Sequence, residues 1–137
     1  MSLRGLDVLA GQKAKGTCVE INNLVKYFNT NTGRKYAVDG LSLTMYQGQI
    51  TALLGHNGAG KSTAIAMLTG LIAPDGGSAF IEGLDINTSM EEIRRNLGVC
   101  PQHDILFPEL TVQEHLRMFA SFKGVPRRDL NDEVYKL

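Results

Sequence analysis

The chain has 137 residues, enough for one domain with a buried core, and is 43% hydrophobic and 20% charged with no tryptophan. Fourteen basic residues balance fourteen acidic ones, so no overall field attracts a polyanion and no nucleic-acid partner is expected. No apolar run reaches the roughly 18 residues of a membrane helix, no leader pattern opens the chain, and two distant cysteines, Cys18 and Cys100, read as free thiols rather than a disulfide framework.

Residues 1–16 are polar, glycine-bearing and without periodicity, so they read as a flexible lead-in or in part a cloning addition. Residues 17–137 read as the folded part. Cys18 to Tyr27 reads as a strand with Val19, Ile21 and Leu24 inward. After a turn cluster over Asn29 to Lys35, Tyr36 to Tyr46 alternates, with Leu41, Leu43 and Met45 on one face, predicting a hairpin. Gln49 to Leu54 reads as a short strand buried on both faces. A glycine-rich loop follows, then a helix over Lys61 to Leu71 with Ile65, Leu68 and Ile72 on one stripe. Pro74 to Gly77 is a turn, Ser78 to Glu82 a strand, and Ser89 to Asn96 a short helix with a Ser89/Glu92 capping box.

Leu97 to Cys100 reads as a strand ending at Pro101, and 101–110 as a loop. Thr111 and Glu114 form a second capping box, opening a helix with Val112, Leu116, Phe119 and Ala120 on one stripe. A last helix begins near Pro126, with Leu130, Val134 and Leu137 on one side. The pattern is mixed α/β: a strand feeds the glycine loop, with an antiparallel β portion around it.

Gly55 to Ser62 (GHNGAGKS) fits G-x-x-x-x-G-K-S/T at every fixed position. A triphosphate concentrates several negative charges, and backbone N–H groups must wrap it closely. Glycine permits the required positive φ and close approach, and the following helix turns its positive end to the phosphates. Lys61 supplies a cation for the β- and γ-phosphates, and Ser62 a hydroxyl for Mg²⁺. The loop follows an apolar segment and precedes a helix, as that chemistry requires. His56 reads as a spacer. His103 and His115 lack a third ligand nearby, and Asp85 and Asp104 read as solvated loop residues.

Leu54 to Thr63 resembles the Walker A sequence of ATP-binding-cassette (ABC) transporter nucleotide-binding domains, in the form found in the A subfamily of lipid exporters. Gly98 to Asp104 (GVCPQHD) resembles that subfamily's Q-loop, and Leu110 to Leu116 is also similar. The resemblance implies a partial P-loop NTPase core with an antiparallel β subdomain, binding ATP and Mg²⁺. It implies that Gly55, Asn57, Gly58, Ala59, Gly60, Lys61, Ser62 and Thr63 form the phosphate loop, with Thr63 at the α-phosphate. Gln102 matches the glutamine that reaches Mg²⁺ and the attacking water. Phe28 sits at the adenine-stacking position, where tyrosine is commoner, with Tyr27 adjacent as an alternative. Val38 matches the aliphatic residue flanking the base.

The family's signature sequence, Walker B segment and switch histidine follow the Q-loop and are absent from these 137 residues. The reading is therefore the N-terminal part of one such domain, expected to bind nucleotide weakly and hydrolyse it hardly at all alone. The implied partners are a transmembrane domain, touching Gln102 to Leu110, and a second nucleotide-binding domain, at the cytoplasmic face of a membrane. A soluble ABC-type ATPase and a binding-only nucleotide module are the alternatives. GTPases and nucleotide kinases are disfavoured, since none of their base-reading motifs is evident.

Overall fold

The structure is a computed structural model that describes residues 17–136. The lead-in expected over 1–16 and the inward placement expected of Leu137 lie outside the described residues. The chain divides into two compact units, meeting at Leu97 and Gly98.

In the first unit, β1 (Thr17–Thr30) and β2 (Gly33–Tyr46) form the expected hairpin, with a turn tighter than the sequence implies. β3 (Gly76–Ile81) pairs antiparallel with the other side of β1, and a two-residue β4 (Leu84–Asp85), not foreseen from sequence, pairs with β3. The sheet order is β2-β1-β3-β4. Strand β1 is irregular between Ile21 and Leu24, where Asn23 takes φ 48° and donates its N–H to Ser42 Oγ at 2.8 Å. That break in alternation turns both Ile21 and Leu24 inward, although they lie three apart. A second irregularity matters for the site. Lys26 opposes Val38 and Tyr27 opposes Tyr36, so Ala37 is an extra residue in β2 without a partner.

Helix α1 (Lys61–Leu68) follows the glycine loop, and α2 (Met90–Asn96) follows β4. The core joins Ile21, Leu24, Val38, Ala64, Met67, Ala79, Ile86 and Ile93. Helix α1 thus turns Ala64 and Met67 inward; Leu68 and Ile72 pack at the margin, while Ile65 of the expected stripe is exposed. The helix ends sooner than predicted because Gly70 takes φ 72° and breaks the helical path. Arg94 of α2 donates to the Gly70 carbonyl at 2.8 Å, covering that end.

Two expected strands are not formed. Residues 49–54 are irregular and form no ladder, and Ile50 and Leu54 are exposed. Residues 97–100 are likewise irregular, with Val99 and Cys100 exposed. Apolar β-prone composition makes a strand only where a neighbour completes the hydrogen bonds, and no described strand pairs with either segment. The Ser89/Glu92 capping box is also absent: Ser89 is the N-cap but its side chain makes no capping bond. Its ψ of 22° departs from the extended backbone an N-cap usually adopts.

In the second unit, α3 (Val112–Phe122) opens on the predicted capping box, with Glu114 N–H donating to Thr111 Oγ1 and Thr111 N–H donating to Glu114 Oε2 at 2.8 Å. The Thr111 N–H, then its hydroxyl, hold the Glu114 carboxyl below the usual carboxylate range. The stripe differs from expectation: Val112 and Phe119 are exposed, and His115 is the buried residue. Helix α4 (Leu130–Val134) buries Val134, as expected. Gln113 Nε2 donates to the Tyr135 hydroxyl at 2.9 Å, and Arg117 donates to Asn131 Oδ1 at 2.7 Å, tying this end to α3.

The turn after α1 is tied to β1 by Asp75, whose carboxyl is held low first by the Tyr27 N–H and then by Lys26. A carboxyl that titrates lower when folded stabilises fully above its ordinary value of 3.8, and loses that contribution as pH falls through the lowered folded value. Urea denaturation from about pH 5 to about pH 2 is expected to show a shallower acid loss of stability for Asp75→Asn than for the unaltered protein. Parallel curves would remove this linkage.

Candidate functional site

The glycine loop is shaped by two left-handed residues, Gly58 at φ 86° and Gly60 at φ 87°. Ala59 N–H donates to the His56 carbonyl at 3.1 Å, closing a tight turn, and Ala64 N–H donates to Gly60 O at 2.8 Å, starting the helical ladder. The amides of Lys61 to Thr63 precede that ladder and lack intrahelical acceptors. No acidic residue stands in the first turn of α1, so the helix's positive end is not neutralised locally.

Gly60 is seated against β2. A Cβ at Gly60 would collide with the Ala37 carbonyl oxygen and lie 3.1 Å from Val38 Cγ2. The irregularity at Ala37 is therefore where the loop docks on the hairpin. Gly58 differs: a Cβ there would meet nothing within 4 Å, so its face is open to a ligand.

Lys61 donates through Nζ to the Gly55 carbonyl at 2.7 Å and the His56 carbonyl at 2.8 Å. Its ammonium is thus held over the loop's own backbone. His56 turns its ring back on the loop, with Nδ1 2.9 Å from the Asn57 carbonyl; that geometry makes Nδ1 the protonated nitrogen. This favours the spacer role. Ser62 is exposed in the first turn of α1, beside Lys61.

A cleft of about 590 Å³ opens beside this loop. Of the expected site residues it brings together Val38, Gly58, Ala59, Gly60 and Lys61, with Leu41, Leu53 and His56 also in its wall. Phe28, Gly55, Asn57, Ser62 and Thr63 are not part of that wall. Phe28 is 47% exposed on β1, with Lys26 Nζ 5.8 Å from its ring centroid. Tyr27, the alternative base platform, is already engaged: Tyr36 meets it edge-on at 5.9 Å, and the Arg34 guanidinium lies 4.6 Å from its centroid. That leaves Phe28 the freer of the two.

Gln102 belongs to the second unit and is exposed. There, a cavity of about 450 Å³ is lined by Val99 to Leu106 and Phe119. Asp104 Oδ1 accepts the Leu106 N–H at 2.9 Å, a turn-forming role. Sequence reasoning missed His115, which organises the end of this loop. Its Nε2 accepts the Phe107 N–H at 2.8 Å, its Nδ1 lies 3.0 Å from the Thr111 carbonyl, and its ring stacks on Phe107 with centroids 6.1 Å apart. A lone histidine four residues after an N-cap carries no sequence signal for that contact.

Residues 38–137 match the ABC transporter family. The human "Phospholipid-transporting ATPase ABCA3" is 50% identical over 119 residues, 87% of this chain and 7% of that protein. The Dictyostelium discoideum "ABC transporter A family member 2" is 48% identical over 127 residues, 93% of this chain and 8% of that protein. The chain therefore spans less than a tenth of the length of these relatives. Among solved structures, an "ATP binding subunit of ABC transporter" superposes with a TM-score of 0.69 at 31% identity, covering 82% of this chain and 45% of that one. A dimeric post-hydrolysis cassette, MJ0796, bound to ADP and Pi, superposes with a TM-score of 0.72 over 86% of this chain and 54% of that one; at 24% identity it shows the fold.

The two glycines separate backbone strain from packing. Gly58→Ala is expected to cost about 1–2 kcal/mol, the price of a left-handed alanine. Gly60→Ala adds the collision with Ala37 and is expected to cost at least about 1 kcal/mol more. Urea denaturation measures both, and equal losses would mean that the close approach carries no energy.

Proposed function

Because the chain belongs to the ABC transporter family, we propose that it is the ATP-binding part of a transporter ATPase domain that couples MgATP binding and hydrolysis to export, with lipid as cargo. The observation that carries this reading is the loop itself: left-handed Gly58 and Gly60, the Lys61 ammonium over the loop, and the acid-free start of α1. Amides of the loop and of Lys61 to Thr63 would cradle the phosphates. The Lys61 ammonium would exchange its two carbonyl partners for β- and γ-phosphate oxygens, a stronger charge-assisted contact. Thr63 would serve the α-phosphate.

Ser62 would hold Mg²⁺, which when bound neutralises charge building on the β- and γ-phosphates, and the motif resemblance gives Gln102 a metal role as well. Gln102 would also orient the attacking water. Val38 lines the cleft and would flank the base, with Phe28 stacking on it. The lipid cargo rests on the relative named as phospholipid-transporting and is associational.

Two partners follow from this reading. A transmembrane domain would contact the segment from Gln102 to Leu110, and the exposure of Ile105, Leu106 and Phe107 supports an apolar contact there. A second nucleotide-binding domain would complete the site, as suggested by the dimeric cassette among the structural relatives. Among the described residues no helix is long and apolar enough to cross a membrane. In the parent transporter the domain would lie at the cytoplasmic face of the membrane.

Equilibrium dialysis of MgATP against the 137-residue polypeptide tests the phosphate role. Lys61→Ala is expected to weaken binding roughly ten- to a hundredfold, the range for a lost hydrogen bond between charged groups. Unchanged affinity would sink the reading.

A further inference from the structure

A polar cluster outside the glycine loop joins the turn after α1 to the strand that carries Phe28. Asp75 Oδ2 accepts the Tyr27 N–H at 2.9 Å, and Oδ1 accepts Lys26 Nζ at 3.2 Å. Asp75 donates its own N–H to the Val25 carbonyl at 2.9 Å. Lys26 Nζ also donates to the Ala73 carbonyl at 2.7 Å. Three consecutive residues of β1 are therefore held by Ala73 and Asp75. The ion pair is well covered, with the Lys26 and Asp75 side chains 15% and 24% accessible.

The residue immediately beyond this grip is Phe28. The ammonium of Lys26 lies 5.8 Å from its ring centroid, within cation–π range. Lys26 and Phe28 are two apart on one strand, and Lys26 opposes Val38 across the hairpin. Directly opposed residues share a sheet face, so Phe28, Lys26 and the cleft-lining Val38 lie on one side. Left alone, Lys26 would sample many rotamers, and the exposed Phe28 ring would lose its neighbour. Asp75 and the Ala73 carbonyl fix that ammonium in one place.

We propose that Lys26 and Asp75 are positioning residues, forming a clip that sets the Phe28 ring as the platform for the nucleotide base. The proposal rests on the nucleotide-binding reading above and deepens it. It divides the site's affinity in two. The loop and the start of α1 govern the phosphates, whereas the clip governs the share that depends on a base. A ring already oriented loses less freedom when a base stacks on it.

The test compares MgATP with magnesium tripolyphosphate, which carries the phosphates and no base, by equilibrium dialysis. Lys26→Met keeps the aliphatic stem and removes the cation. Asp75→Asn keeps an acceptor for the Tyr27 N–H and removes the charge. Each is expected to weaken MgATP about two- to fivefold and to leave tripolyphosphate affinity unchanged. Lys26→Arg is expected to restore MgATP affinity, and in a Phe28→Ala background Lys26→Met should have no further effect. Equal losses for both ligands, no loss for MgATP, or an undiminished effect of Lys26→Met without Phe28 would each overturn the clip. Failure of the underlying reading looks different: Lys61→Ala would then leave MgATP binding intact.

Discussion

The site depends on one close approach, that of Gly60 to the β2 backbone at Ala37. The hairpin brings the Ala37 carbonyl to that point because β2 carries one residue more than β1 opposite it. Only a residue without Cβ fits against it. The contact joins what the chain supplies from two places, the hairpin over Thr17–Tyr46 and the loop and helix that follow it in the sequence. Val38 takes part in both: it belongs to the core, stands 3.1 Å from the space a Gly60 side chain would occupy, and lines the cleft. The glycine loop is thus anchored on its inner side by packing and is open at Gly58.

The electrostatics of the site are local. Fourteen basic and fourteen acidic residues cancel overall, yet the loop presents oriented amides, a helix start without carboxylates, and one ammonium. Lys61 is bound to two neutral carbonyls rather than to a carboxylate. A salt bridge there would compete with an anionic ligand, whereas carbonyls can be exchanged for phosphate oxygens at smaller cost. Lys26 is held differently, by the Asp75 carboxylate, which suits a cation with a fixed structural task.

The sequence made the shape of the loop legible, because G-x-x-x-x-G-K-S/T is a constraint on backbone shape that few residue types satisfy, and Gly58 and Gly60 are left-handed as it requires. It was also a good guide to the hairpin, where alternation is local. It was a poor guide where structure depends on context. The patterns S-x-x-E at Ser89 and T-x-x-E at Thr111 read alike, yet only the second forms a box. Thr111 enters its helix extended, at ψ 163°, while Ser89, at ψ 22°, donates its N–H to the Asp85 carbonyl and continues a turn from β4. A two-residue strand is invisible to periodicity, so that difference could not be read in advance. His115 was missed for a similar reason: the Phe107 N–H it accepts is set by a loop, not by spacing.

The segments 49–54 and 97–100 show the same limit from the other side. Their composition is that of strands, and the sequence was read so. A strand, however, is a relation between two backbones rather than a property of one. Ile50 and Leu54 stand exposed beside Leu53, which still packs against the core. One residue of the segment is thus held by side-chain burial while its neighbours lack the ladder that would order them. Leu54 also borders the cleft beside the glycine loop. Order supplied to this segment by a pairing strand would therefore reach the Gly55 carbonyl, one of the two that hold Lys61. Pairing would then act on the same backbone that holds the Lys61 ammonium.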